Sequence, residues 1–239
     1  MIKAVLFDLD GTLLPLDTEL YAKVYFERLG ATLAPHGISP EIFGKAMWFG
    51  IEAMKKNDGR NTNEKIFWQA FESIVGKITD EQMAAFDYFY ESIFPSIKEI
   101  CGYQPLARVA IDMIKEKGLK LALATAPVFP ETATRQRAGW GGIYFSDFEL
   151  VTTFENSFHT KPSPDYYTDV ANALGVPPSE CLMIGNDAYD DMIAEKVGMN
   201  VYLITDNLLN KKNIDISKYN SGSFSDMIEF LKQVLENNI

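Results

Sequence analysis

Two carboxylates one residue apart follow a short apolar run near the start of the chain. Asp8 and Asp10 lie in the motif Phe7-Asp8-Leu9-Asp10-Gly11-Thr12, directly after Ala4-Val5-Leu6. A short apolar segment that ends near a glycine is typical of a buried parallel strand, and open α/β sheets bind ligands outside the carboxyl ends of such strands. Carboxylates this close repel one another, so an ionised pair favours a hard cation such as Mg²⁺. The alternative is an acidic turn that only ends the strand.

Two more candidate residues, Thr125 and Lys161, each follow a predicted strand further along the chain. Thr125 follows the apolar run 121–124, and its hydroxyl and the adjacent backbone at Ala126 form a candidate site for a substrate oxyanion. Lys161 precedes Pro162, which favours an extended backbone, and a cation here would offset the charge of a phosphate. The alternatives are a β-branched residue at a strand end for Thr125 and a solvated loop charge for Lys161.

A third group of polar residues follows the apolar run 181–184. It has the sequence Gly185-Asn186-Asp187-Ala188-Tyr189-Asp190-Asp191. Acids at a strand-to-helix turn also suit the positive end of a helix dipole, so this motif has a purely structural explanation. On a helix, Asp187 and Asp191 would share one face, as would Asn186 and Asp190, and the sequence leaves open which pair points inward.

The elements that must position these groups alternate between strands and helices. Apolar runs predict strands over 2–8, 119–124, 150–152, 181–184 and 201–204, and amphipathic patterns predict helices over 105–117, 163–175 and 224–235. Between the first two strands, four helical patterns begin near 17, 39, 62 and 79, with a predicted N-cap at Ser39 and a Thr-x-x-Gln capping box at 79–82. We therefore predict a doubly wound parallel sheet formed by 1–15 and 95–239, with an inserted all-helical domain over 16–94. The polar stretch 207–223 is expected to be a surface loop.

Composition narrows the function classes. The chain has 239 residues, of which 47% are hydrophobic, and 33 acidic against 22 basic residues give a formal net charge of −11. This charge opposes binding to nucleic acid and to anionic membranes. No apolar stretch is long enough to cross a bilayer, and two cysteines without CxxC spacing are typical of a reducing cytoplasm. We expect a cytoplasmic monomer or weak dimer.

Taken together, the four motifs resemble those of the haloacid dehalogenase superfamily, of the kind with a helical C1-type cap. The resemblance rests on DxDGT at 8–12, Thr125, Lys161 before a proline and GNDxxxD at 185–191, in this order. It implies that Asp8 is a nucleophile that forms an aspartyl-phosphate and that Asp10 is the general acid and base. It also implies that Thr125 and Lys161 hold the phosphoryl oxygens.

The same resemblance implies a Mg²⁺ site. Its ligands would be Asp8, the backbone carbonyl of Asp10 and an acid of the fourth motif. Many relatives have Gly-Asp where this chain has Gly185-Asn186. This departure favours Asp187 as the third ligand, with Asn186, Asp190 and Asp191 around the coordination sphere.

These residues predict a Mg²⁺-dependent phosphatase that acts on a small phosphorylated metabolite. Asp10 disfavours a dehalogenase, because a halide leaves without a proton, and phosphonate hydrolases of the superfamily lack this second aspartate. A sugar phosphomutase uses the same two aspartates and remains an alternative. A phospho-receiver switch or a non-catalytic binding protein is the alternative from another class. The first would lack DxDGT and the helical insertion, and the second is disfavoured because every motif position holds a competent residue.

Overall fold

Parallel β-strands form one sheet, as in a doubly wound fold. In a computed structural model that describes residues 1–236, the strands are β1 (Ala4–Phe7), β2 (Lys120–Leu123), β3 (Leu150–Val151), β4 (Cys181–Gly185), β5 (Asn200–Ile204) and β6 (Asn220–Gly222). They lie in the order β3-β2-β1-β4-β5-β6, and every neighbouring pair is parallel. The predicted fold class is therefore confirmed. β1 lies between β2 and β4, so the residues that follow these three strands meet at one edge.

Most of the helices begin at residues whose side chains cap them, although the helix over Glu131–Trp140 has no side-chain cap. Their bounds are α1 (Thr18–Leu33), α2 (Pro40–Lys55), α3 (Asn63–Val75), α4 (Asp80–Tyr88), α5 (Pro105–Glu116), α6 (Glu131–Trp140), α7 (Pro164–Leu174) and α8 (Phe224–Glu236). The side chains of Asp17, Ser39 and Thr62 accept hydrogen bonds from backbone N–H groups of the first turns of α1, α2 and α3. Thr79 and Gln82 form the predicted capping box of α4, in which each side chain bonds the other's backbone N–H.

The segment between β1 and β2 is helical. It contains α1 to α4, followed by a π-helical turn (Phe89–Ile93) and a 3₁₀ segment (Phe94–Ile100). Within the described chain, residues 16–94 contribute no strand to the sheet. The division into a core of 1–15 and 95–239 and a cap of 16–94 stays a prediction, and its last three residues, 237–239, lie outside the described part.

Both faces of the sheet are buried, as a parallel sheet requires. Alternate residues of β1 separate between the two sides. Val5 and Phe7 pack in the cluster that contains α5 and α8, whereas Ala4 and Leu6 pack in the cluster that contains α7. The first cluster continues without interruption into the helical insertion through residues such as Leu29, Phe67 and Phe71.

The structure differs from the expectations drawn from sequence in three places. The stretch 207–223 is not only a loop, because Asn220–Gly222 pairs with β5 as an edge strand. Helix α6 was not predicted at all. No α-helix starts within the fourth motif; a turn leads instead into a 3₁₀ segment over Met192–Val197. Across residues 1–236, no helix has the length and apolar character needed to cross a membrane.

Candidate active site

The predicted site residues meet at the carboxyl edge of β1, β2 and β4. They line a cavity of about 130 Å³ together with two residues that the sequence did not indicate, Thr18 and Leu209. The predicted members of the lining are Asp8, Asp10, Thr125, Ala126, Lys161, Asn186, Asp187, Asp190 and Asp191. Thr18 is the first residue of α1 and Leu209 follows β5, so neither stood in a motif. A hydroxyl at a helix start and an apolar loop residue gave no chemical signal.

Lys161 connects two buried carboxylates at the centre of the site. Its Nζ donates to Asp8 Oδ1 at 2.7 Å and to Asp191 Oδ1 at 2.6 Å, and all three side chains are buried. Burial raises the pKa of Asp8 to about 7, and Asp191 and Asp10 add to that rise while Lys161 opposes it. Burial also disfavours the charged lysine, yet Asp191 and Asp8 hold its pKa well above the ordinary value. Lys161 is therefore a fixed cation beside Asp8, which excludes the solvated loop alternative.

Asp191 ties this cation to the loop after β4. Its Oδ1 accepts from Lys161, and its Oδ2 accepts from the backbone N–H of Asp187 at 2.9 Å. The carboxylate lies so close to Gly185 that a Cβ there would be 2.1 Å from Oδ2. The glycine at this strand end is thus required by the position of Asp191.

Asp187 and Asp190 are the two acids of this motif that line the cavity and form no ion pair with residues 1–236. Asp187 Oδ1 accepts from the backbone N–H groups of Tyr189 and Asp190, at 2.7 and 2.9 Å, so one oxygen orders the loop. Asp190 accepts no hydrogen bond through its carboxylate from residues 1–236. Burial, followed by repulsion from Asp187 and Asp191, raises the pKa of Asp190 to about 6. A cation bound nearby would favour the ionised form of this carboxyl group.

Asn186 holds two loops together and is itself buried. Its Oδ1 accepts from the Thr12 hydroxyl at 3.0 Å, and its Nδ2 donates to the carbonyl of Asn207 at 2.7 Å. Gly11 adopts a φ of 83°, and a Cβ on it would lie 2.2 Å from Asn186 Nδ2. Asn186 therefore connects the loop after β1 to the loop after β5, and Gly11 makes room for it.

Thr125 lines the cavity at the end of β2, and its backbone is fixed from behind. Its carbonyl accepts from the hydroxyls of Thr152, at 2.7 Å, and Tyr166, at 3.1 Å. The next residue, Ala126, also faces the cavity. The loop thus presents the Thr125 and Ala126 positions beside Asp8 on a backbone held by β3 and α7.

Asp10 has a partner that the sequence did not reveal. Arg137 of α6 donates from Nη1 to Asp10 Oδ2, and its side chain is fully buried. The two residues are 127 positions apart, and α6 lacks the apolar pattern by which helices are recognised. Residues 131–140 contain three charged side chains, and nothing in the sequence distinguishes Arg137 from the other two.

The donors around the cavity are oxygens, which suit a hard cation. Within residues 1–236, no three His, Cys, Asp or Glu side chains are grouped so that they alone could hold a metal ion. The predicted set needs only two such side chains, those of Asp8 and Asp187, with the carbonyl of Asp10 as the third ligand. That carbonyl is not used by the hydrogen bonds of its loop, which run to the carbonyls of Leu9 and Leu14.

Comparison with known proteins places this geometry in a family. The sequence pattern of the haloacid dehalogenase-like hydrolases matches residues 2–198. The protein named "Putative phosphatase YhcW" of Bacillus subtilis (strain 168) is 26% identical over 207 residues, which cover 85% of this chain and 84% of that protein.

Solved structures agree at the level of the fold. A HAD phosphatase from Thermococcus onnurineus superposes with a TM-score of 0.60 at 20% identity, covering 96% of this chain and 98% of the other. A β-phosphoglucomutase from Clostridium difficile gives 0.57 at 18% identity, with 100% and 99% covered. The fold, the order of the motifs and the family match agree, and the chain belongs to the haloacid dehalogenase-like hydrolases and is an enzyme.

Proposed function

We propose that this protein is a Mg²⁺-dependent phosphatase that hydrolyses a small phosphorylated metabolite through a phosphoryl group carried on Asp8. The observation that carries the proposal is the placement of Lys161 Nζ, 2.7 Å from Asp8 Oδ1, in a cavity that also contains Thr125 and Asp10. A phosphate monoester reacts slowly because its charge repels nucleophiles and its leaving group is a poor one. A site for it needs a nucleophile, fixed cations and a proton donor.

The proposed reaction has two steps. An oxygen of Asp8 bonds to phosphorus while the bond to the leaving oxygen breaks, and Asp10 gives its proton to that oxygen, so an alcohol departs. Water then bonds to phosphorus and gives a proton to Asp10 while the bond to Asp8 breaks. Phosphate leaves, and both aspartates return to their starting forms.

The remaining residues bind and orient the phosphoryl group. Lys161 neutralises charge on Asp8 and on the phosphoryl oxygens, and its hydrogen bond to Asp191 holds it in this orientation. Thr125 and the backbone at Ala126 donate to the oxygens on the opposite side. The helical insertion would cover the cavity and exclude water other than the nucleophilic one.

The residues present fit a magnesium ion. We propose Asp8, the carbonyl of Asp10 and Asp187 as its ligands, because Asp8 and Asp187 each retain a carboxylate oxygen that accepts no bond from residues 1–236. When bound, the ion supplies positive charge at the phosphoryl oxygens and beside the nucleophile. Asp190 is the nearby acid whose raised pKa such a charge would lower.

An assay of purified protein tests this function. With Mg²⁺ it should hydrolyse a generic aryl phosphate and at least one member of a panel of phosphorylated metabolites, and chelation should abolish both activities. Analysis of the products separates hydrolysis, which releases inorganic phosphate, from a mutase reaction, which returns an isomeric sugar phosphate. Absence of turnover on the whole panel with Mg²⁺ present would contradict the proposal.

A further inference from the structure

Arg137 is a charged side chain buried completely beside the site. It projects from the face of α6 that also carries the buried residues Ala133, Thr134 and Ala138. Nη1 donates to Asp10 Oδ2, and Nη2 donates to Thr134 Oγ1 at 3.3 Å. The guanidinium also lies over the ring of Phe129, with its central carbon 4.2 Å from the ring centroid. Its orientation is thus set by three neighbours.

The ion pair between Arg137 and Asp10 leaves some of its polar atoms without hydrogen bonds. Arg137 Nε and Asp10 Oδ1 are both buried, and neither has a hydrogen-bond partner among the described residues. Each such group destabilises the folded state, and a buried charge pair seldom stabilises a fold more than apolar residues of the same volume. A pair whose purpose was stability would satisfy these atoms. Asp10 has one oxygen bound by Arg137, and its other oxygen is buried without a partner among the described residues.

Asp10 lies in the loop between β1 and α1, where the backbone alone does not fix its side chain. A carboxylate that gives a proton must point one oxygen at the leaving group, and errors of about 1 Å are costly in such a transfer. A guanidinium is planar and carries donors in a fixed array, so it orients a carboxylate better than a lysine does. Arg137 is 0% exposed and therefore does not contact substrate in this conformation.

We propose that Arg137 is a positioning residue for Asp10: it holds the carboxylate by Oδ2 and so fixes the direction in which this side chain points. The carboxyl group held in this direction gives its proton to the leaving oxygen as the phosphorus–oxygen bond breaks, and it later takes one from the attacking water. This assignment rests on the proposed phosphatase function and goes further, because it names the element that aims the acid. That element is α6, in the core rather than in the helical insertion.

Two substrates and three variants test the kinetic part. Arg137→Met removes the guanidinium, Arg137→Lys keeps the charge, and Arg135→Met removes an exposed arginine of the same helix that pairs with Glu131. The substrates are an alkyl phosphate, whose leaving group needs a proton, and an activated aryl phosphate, whose leaving group does not. First-turnover rates are compared, because the second step is common to both substrates.

For Arg137→Met we expect the first-turnover rate on the alkyl phosphate to fall by about a hundredfold, which is typical of a lost acid, with KM within about threefold. On the aryl phosphate the fall should be less than about fivefold. Arg137→Lys should recover part of the alkyl rate, and Arg135→Met should match the parent protein. Equal losses on both substrates, or no loss, would overturn the inference.

A stability measurement tests the pairing without any activity. Melting temperatures are measured for Arg137→Met, Asp10→Asn and the double variant, together with the parent protein. If Arg137 holds Asp10, the effects are not additive, because each single change already breaks the pair. Additive effects would overturn the inference. An inactive parent protein would instead contradict the proposed function, and the melting temperatures would still decide whether Arg137 holds Asp10.

Discussion

Asp8 lies against a cation that is held from the other side by a second carboxylate. The chain Asp8–Lys161–Asp191 is buried throughout and ends on the backbone N–H of Asp187. Removing Asp191 would therefore leave Lys161 with one partner and free it to turn towards Asp8 or away from it. This arrangement makes Asp191 a positioning residue in the proposed mechanism rather than a metal ligand.

Asp187 and Asp190, the other two acids of the fourth motif, have different roles in the proposed metal site, because only Asp187 is a proposed ligand. Asp187→Asn keeps the oxygen that accepts from Tyr189 and Asp190 but removes the charge, so the loop should be retained while the ligand is weakened. We expect the Mg²⁺ concentration for half-maximal rate to rise by about a hundredfold in Asp187→Asn and by about tenfold in Asp190→Asn. Initial rates over a Mg²⁺ titration measure both.

The exposed Asp215 supplies a matched control for this pair. Asp215→Asn removes a surface carboxylate that accepts a hydrogen bond from Ser217 in its own turn, and it should leave the Mg²⁺ requirement unchanged. A larger rise in Asp190→Asn than in Asp187→Asn would transfer the ligand role to Asp190.

At this scale, the sequence revealed residues that follow strands and missed a residue on a helix. Asp8, Thr125 and the 185–191 motif each end an apolar run, so the topology of a parallel sheet brings them together. Arg137 reaches Asp10 from the interior of a helix, and no local pattern announces such a contact. The partners of Asn186 and Asp191 likewise depend on loop geometry that spacing alone does not give.

Helices and strands with a clear hydrophobic periodicity were predicted from the sequence. Elements that depend on tertiary contacts were missed. Helix α6 has few large apolar residues, and it is held by small buried side chains and by Arg137. β6 consists of Asn220-Ser221-Gly222, which favours no strand, and it is ordered by backbone pairing with β5. Caps, by contrast, are local, and the predicted caps at Ser39 and Thr79 are confirmed.

The carboxylate of Asp147 links α5 to the turn before β3, and the stability of this link can be predicted. Asp147 accepts from Arg108 at 2.6 Å, from Lys115 at 2.9 Å and from the backbone of Tyr144 at 3.0 Å. Burial acts to raise the pKa of Asp147, but the hydrogen bonds from Arg108 and Lys115 outweigh it and lower the pKa to about 2. The stabilisation is therefore full above the ordinary value of 3.8 and is lost as the pH falls towards 2.

We expect Asp147→Asn to lower the free energy of unfolding by about 1–2 kcal/mol at pH 7, since three donors lose a charged acceptor. Asp112→Asn, which removes a half-exposed partner of the same Arg108, should cost less than about 0.5 kcal/mol. Urea unfolding at pH 7 and near pH 3 measures both. A cost of Asp147→Asn that stays constant between these pH values would contradict the assigned ion pairs.

Over the whole molecule, the helical insertion is fastened to the two loops that flank the cavity. Asn63, at the start of α3, is completely buried, and its Nδ2 donates to the carbonyls of Pro127 at 3.2 Å and His159 at 3.1 Å. These carbonyls belong to the loops that carry Ala126 and Lys161. The amide of Asn63 thus connects the insertion to the residues proposed to bind phosphate.

We expect Asn63→Ala to lower the melting temperature by about 4–8 °C, because one buried and one partly buried carbonyl lose their donor at a cost of about 2 kcal/mol. It should also raise KM more than it lowers kcat, since the loops no longer hold the cover in place. Asn172→Ala, an exposed position on α7, is the control. An unchanged melting temperature in Asn63→Ala would contradict this role.

The central claim, a phosphoryl group carried on Asp8, is tested most directly by trapping it in Asp10→Asn. This variant keeps the nucleophile but lacks the base for the second step, so an activated aryl phosphate should load the protein faster than water clears it. Mass spectrometry after rapid quenching should find one added phosphoryl group, on the peptide that contains Asp8. The double variant with Asp8→Asn should carry none and release no aryl product. Turnover by Asp8→Asn, or a phosphoryl group on any other residue, would contradict the account.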